Sequence, residues 1–168
     1  EKDVAVKMEQ AKEEIKQIIL SFPGTTKELL NVLSSLKTSK TNIKDITFEI
    51  DDEEEIEIEL EFQKKRVITL LERLRDVYWQ YKTSNNGIKE ECLADIKLII
   101  SEINLSKKLM DKIVFKMKRY VDRVCKIESD LELCRNIRND DTEKDLATIY
   151  RRIHRIEQEV GISTNELK

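Results

Sequence analysis

One proline and three glycines punctuate 168 residues, which leaves little material for the tight turns that a sheet-rich fold needs at regular intervals. The single histidine, His154, neighbours Arg155 on a charged stretch with neither a nucleophile nor a metal-ligand cluster around it, and a surface position is expected for it. Three cysteines, Cys92, Cys125 and Cys134, make no CxxC pair, which excludes a disulfide scaffold and fits a reducing cytoplasm. Their helical spacing makes Cys125 and Cys134 buried small hydrophobes rather than ligands. No run approaches the roughly 18 apolar residues that span a bilayer, so no membrane partner is expected.

What the chain has in quantity is charge, 39% against 39% hydrophobic, with a formal net charge of −3. That balance excludes a globally basic nucleic-acid binder, although local patches can hide in the sum. Charge-rich segments with apolar residues at three- and four-residue steps predict an all-α fold: an irregular bundle of about six helices, several of them long.

The first helix is predicted over about Asp3 to Ser21, where Val4, Met8, Ala11, Ile15, Ile18 and Ile19 form its apolar stripe. Phe22-Pro23-Gly24 breaks it. Thr25 with Glu28 has the form of a capping box, opening a second helix that carries Leu29, Leu30, Leu33 and Leu36 and fades near Lys40. Residues 41 to 52 show no sustained period and read as a connecting loop. From Glu53 to Phe62 apolar and acidic residues alternate as in a strand. Acidic residues suit a helix start, no second strand candidate exists, and the pattern continues into Val67, Leu70, Leu71 and Leu74. A helix to about Lys82 follows.

After the turn signal Ser84-Asn85-Asn86-Gly87, a fourth helix carries Cys92, Ile96, Ile99, Ile100 and Ile103 to about Asn104. Ser106 is a candidate N-cap for the longest helix, extending as far as Ile137. Asn139-Asp140-Asp141-Thr142 breaks it and opens a helix lined by Leu146, Ile149, Ile153, Ile156 and Val160 that stops at Gly161. Ser163 with Glu166 repeats the capping-box form. The first residue is not Met and the last ones read as a helix just beginning, so a piece of a longer protein is expected.

Two charge features stand apart. Glu49, Asp51, Asp52, Glu53, Glu54, Glu55, Glu57, Glu59 and Glu61 form an acidic tract, either a solvated helix start complementing the dipole or a face that repels DNA or docks on a basic surface. Lys108, Lys112, Lys116, Arg119 and Arg123 fall on one helix stripe, either a solvated face or a contact surface for phosphate or protein acid. Lys37, Lys40 and Lys44 form a second small basic set. Trp79, Tyr78 and Tyr81 read as core packing before they read as a contact patch. No catalytic site, cofactor site, metal site or small-molecule substrate is expected. The carboxylates Glu90, Glu91, Glu157 and Glu159 lack the Glu-x-x-His pairs of a bundle metal centre, and there is no Gly-rich phosphate loop.

Three stretches carry a resemblance. Ile153-His154-Arg155-Ile156-Glu157-Gln158-Glu159-Val160-Gly161-Ile162 through Leu167-Lys168 is similar to the Ile-x-x-Ile-Glu-x-Glu-x-Gly-Leu segment before the core of bacterial primary sigma factors of the sigma-70 family. Glu1-Lys2-Asp3-Val4-Ala5-Val6-Lys7-Met8-Glu9 resembles the end of that family's region 1.2, with Val6-Lys7 where the family has Lys-Arg and Ala11-Lys12 where it often has a Gly. Phe22-Pro23 stands where a Tyr-Pro is usual. Leu105-Ser106-Lys107-Lys108 through Met117, Val121, Asp122, Arg123 and Leu133-Cys134 resembles the long helix of the family's non-conserved region.

The resemblance implies three segments: 1–22 as the end of region 1.2, 23–161 as the helical non-conserved region, and 162–168 as the start of the helix leading to region 2. It implies a non-catalytic domain that helps dock sigma on core RNA polymerase, on the β′ subunit, and that modulates promoter binding and escape. Promoter DNA would be a partner only in the context of the full sigma factor, with Lys37, Lys40 and Lys44 as the neighbourhood facing upstream phosphates. The alternative from the residues alone is a stand-alone helical scaffold or coiled-coil adaptor.

Overall fold

A computed structural model of the chain describes residues 2–38, 40–47, 57–84, 86–136 and 142–167. Among them the fold is all-α, with seven α-helices: α1 Lys2–Ser21, α2 Pro23–Lys37, α3 Glu57–Thr83, α4 Asn86–Ile103, α5 Lys107–Asn136, α6 Thr142–Val160 and the one-turn α7 Thr164–Leu167. A short 3-10 helix, Ile43–Asp45, lies between α2 and α3. No described helix is long and apolar enough to cross a membrane. The chain divides into two compact units, Glu1–Ile113 and Val114–Lys168, with the division falling inside α5.

In the first unit α3 and α4 pack along each other, α2 packs on α3, and α1 meets α2 and α4. The core collects one apolar stripe from each helix, in keeping with the 3.6-residue period: Leu29, Leu33 and Leu36 of α2, Val67, Leu71 and Leu74 of α3, Ile96, Ile99, Ile100 and Ile103 of α4, and Leu109 and Ile113 of α5. The alternating stretch before Phe62 is helical from Glu57 onward, as expected, and Ile58 and Phe62 lie exposed on its surface. The remainder of the acidic tract, Glu49 to Glu55, lies outside the described residues, as do Asn139-Asp140-Asp141.

α1 departs from the expected burial. Its helix forms where the period places it, but Val4, Met8, Ile15 and Ile18 are all exposed, and burial begins only at Ile19 and Leu20. An apolar stripe establishes that a helix has a face to cover, and the first unit covers only the last turn of this one.

The start of α2 also differs. Phe22 is the N-cap and Pro23 takes the first helical position, where its fixed φ is already helical and its missing N–H is no loss. Thr25 therefore sits inside the helix rather than capping it. Its hydroxyl is fully buried and donates to the Ile19 carbonyl at 2.7 Å, tying the end of α1 to the start of α2. Glu28 is buried as well, and its carboxylate pairs with Lys112 of α5 at 2.8 Å. Gly24 is required by close approach: a Cβ there would meet the Phe22 ring at 2.2 Å.

The segment expected to be a plain connector is instead built into the core. Ile43, Ile46 and Thr47 are buried. The Thr47 hydroxyl donates to the Ile103 carbonyl at 2.9 Å, the Ser106 amide donates to the Ile46 carbonyl at 2.8 Å, and the Ser106 hydroxyl donates to the Asp45 carbonyl at 2.6 Å. Thr47 and Leu105 form an isolated antiparallel bridge. These bonds hold the α4–α5 turn, whose Asn104 takes a left-handed φ of 53°, a conformation asparagine tolerates better than most residues. Ser106 also accepts from the Leu109 amide at 3.2 Å, the N-cap role its sequence position predicts.

The second unit is a helical hairpin closed by charge. Arg123 pairs with Glu159 at 2.9 Å and Arg152 with Asp130 at 2.8 Å. Moving seven residues up α5 moves seven residues down α6, so the two helices run antiparallel. Val124 and Ile127 of α5 and Ile149, Ile156 and Val160 of α6 are the buried apolar residues among those described in this unit. Gly161, at φ 94°, ends α6 in the left-handed conformation that glycine adopts without penalty. Glu157 then accepts from the Thr164 amide at 3.0 Å, satisfying one of the open donors at the start of α7.

Candidate contact surfaces

The basic residues singled out from the sequence are exposed or half-buried, but most are already engaged within the chain. Lys108 pairs with Asp45 at 2.7 Å. Lys112 pairs with Glu28 at 2.8 Å, and that carboxylate side chain is only 6% exposed. Arg123, besides its pair with Glu159, stands 5.6 Å from the centre of the Tyr120 ring. Lys37 bonds Glu72 of α3. The Lys44 amide donates to the Asn42 side chain at 3.2 Å in the 3-10 turn, and the residue is half-buried and has a further partner. Lys116 also has a partner. Arg119 and Lys40 are the members of the two sets that lie exposed without an ion-pair partner among the described residues.

Two of these ion pairs shape a cleft. Glu28, Asn31, Val32 and Ser35 of α2, Asp45 and Ile46, and Lys108, Leu109 and Lys112 of α5 line a cavity of about 180 Å³. Its lysines and carboxylates neutralise each other, so the cleft presents no net charge to an ionic ligand. A second cavity of about 90 Å³ lies between the end of α1 and the α4–α5 turn, lined by Lys16, Ile19, Ile100, Asn104 and Met110.

Other chemistry-bearing residues fall on the surface. His154 is exposed, as expected, its Nε2 lying 2.9 Å from the Gln158 amide nitrogen. Cys92 is buried, but Cys125 is exposed and Cys134 half-buried. The expected burial of Cys125 fails because Val124 takes the inward position and the next residue is turned about 100° around the helix. Among the described residues no group of His, Cys, Asp or Glu is placed to hold a metal ion.

Compared with known protein families, curated proteins and solved structures, the chain gives no match. Its surfaces must therefore be read from their own chemistry. The aromatic trio at the end of α3 differs from the expected core packing. Trp79 is 66% exposed, whereas Tyr78 and Tyr81 are half-buried and stack with centroids 6.3 Å apart. Lys82 lies 5.6 Å from the Tyr78 ring. Burial, with Tyr81 beside it, raises the Tyr78 hydroxyl above its ordinary pKa. Three aromatics within four positions cannot all face one helix stripe, which is the signal by which the sequence could have revealed an exposed ring.

Proposed function

We propose that the chain is a non-catalytic helical domain of a bacterial sigma initiation factor, which helps seat sigma on core RNA polymerase at the β′ subunit and modulates promoter binding and escape. The observation that carries this reading is that three resembling segments, at Glu1–Glu9, Leu105–Cys134 and Ile153–Lys168, follow one another in the family's order. The all-α fold agrees with it. The mechanism is binding: charged residues on rigid helices meet complementary charge on the polymerase, and such contacts set orientation and encounter rate more than raw affinity.

The geometry narrows which residues carry such a contact. Lys108, Lys112 and Arg123 are committed to carboxylates of their own chain, so of the α5 stripe Arg119 is the residue best placed to meet an outside partner. The chain is expected to bind purified core polymerase and its separate β′ subunit saturably, more weakly at high salt, and Arg119→Glu is expected to weaken that binding with no loss of helicity. Failure to bind either at low salt, alongside an unrelated helical protein as control, would overturn the reading.

The DNA contact proposed for the Lys37, Lys40 and Lys44 set rests mainly on Lys40. In the full sigma factor, Lys40→Glu is expected to reduce the slope of log affinity for promoter against log salt by about 0.9, the increment for one phosphate contact. An unchanged slope would remove DNA from this neighbourhood.

A further inference from the structure

The fold leaves an apolar stripe uncovered on α1. Val4, Met8, Ile15 and Ile18 are each about half exposed or more, and Ala11 is exposed between them. They follow one another at steps of four, three, four and three residues, the a/d spacing of a coiled-coil seam rather than the broader stripe of a helix lying on a globular core. Most of a helix's stability in a protein comes from packing its apolar face, so a partner for the seam stabilises the helix itself.

The charges beside the seam say what that partner is. Lys7 and Glu14 occupy equivalent flanking positions one heptad apart, with Lys12 on the opposite flank. Neither Lys7 nor Glu14 has an ion-pair partner among the described residues. Set a second α1 antiparallel to the first, with Val4 opposite Ile15 and Met8 opposite Ala11. Each Lys7 then meets a Glu14 of the second copy, twice by the two-fold symmetry, and the small Ala11 fills its layer against the long Met8. Shifted by one heptad, the same pairing brings Glu14 against Glu14 and Lys12 against Lys12. Parallel pairing brings Lys7 against Lys12. Only one register is free of like-charge contact at these positions.

We propose that two copies of this chain associate through α1 as a short antiparallel coiled coil, with Val4, Met8, Ala11 and Ile15 as its seam and reciprocal Lys7–Glu14 pairs at its edge. Four layers make a small interface, at the low end of what stable partners bury, so the association depends on concentration. Its residues are not among those proposed for the polymerase contact.

Sedimentation equilibrium of the 168-residue chain across a concentration series tests this. The unaltered chain is expected to shift from monomer to dimer as concentration rises. Ile15→Glu is expected to remain monomeric throughout and, at concentrations where the unaltered chain is also monomeric, to share its thermal midpoint, since Ile15 is 49% exposed in the single copy. Lys7→Glu is expected to weaken association about tenfold by turning two attractive pairs repulsive, and Lys7→Glu with Glu14→Lys to restore it. A chain that stays monomeric, or an Ile15→Glu variant that still dimerises, would overturn the proposal. So would a Lys7→Glu variant that associates equally or more tightly, the result that parallel pairing with Lys12 produces.

Discussion

Ile46→Ala is expected to destabilise the chain by about 2–5 kcal/mol, as much as truncating a core residue of a long helix. The residue belongs to a segment with no helical period, and a connector of that kind tolerates substitution within about 0.5 kcal/mol. Its side chain is nevertheless fully buried, and its own carbonyl accepts the Ser106 amide at 2.8 Å. The neighbouring Thr47 hydroxyl reaches the Ile103 carbonyl at 2.9 Å. Cutting the side chain back leaves a cavity beside a turn whose backbone bonds depend on this strand of chain staying in place, so both the lost contacts and the loosened turn weigh on stability. Urea unfolding followed by far-ultraviolet circular dichroism measures the effect, with the 53% exposed Ile88 replaced by alanine as the comparison. Equal midpoints for the two variants would show that residues 43–47 are a tether and not part of the core.

The six long helices were legible in the sequence because each carries a sustained apolar period between recognisable breaks, and Ser106 was legible as a cap because capping is local chemistry. Ile43, Ile46 and Thr47 were not, since what buries them is the α4–α5 turn, distant in sequence, and no local pattern records that encounter. Thr25 misled for a related reason. The Thr-x-x-Glu spacing fits a capping box, but Pro23 supplies a stronger start two residues earlier, and the threonine and glutamate are then taken up by Ile19 and Lys112. The α1 stripe predicted its helix correctly and said nothing of whether the same chain would cover it.

The basic stripe on α5 shows the same boundary between local and distant information. A spacing of three and four residues places Lys108, Lys112, Lys116, Arg119 and Arg123 on one side of a helix, and that much follows from the period. Which of those charges are spent inside the chain depends on Asp45, Glu28 and Glu159, each brought in by a different element. The sequence offers five equivalent candidates, and the fold makes them unequal.

That inequality gives the second large effect: Lys112→Glu is expected to destabilise the chain by about 2–4 kcal/mol, because it removes the cation paired with a buried carboxylate and sets a second negative charge against it. Arg123→Glu, whose partner Glu159 is 41% exposed, and Lys108→Glu, whose partner Asp45 is 39% exposed, are expected to cost about 1 kcal/mol or less, the range of surface pairs. Replacing Glu28 and Lys112 together by methionine is expected to recover most of the loss, since an apolar pair of similar volume asks for no compensating charge. Unfolding midpoints for the three single variants and the double variant decide this, and a Lys112→Glu midpoint equal to that of Arg123→Glu would show that Glu28 does not depend on Lys112. The contrast bears directly on the proposed polymerase contact. A weakened interaction in Lys112→Glu reports on folding as much as on binding, whereas Arg119→Glu changes an exposed charge outside any described ion pair. Polymerase binding that falls with Arg119→Glu at an unchanged unfolding midpoint is therefore the result that separates a contact surface from a merely solvated helix face.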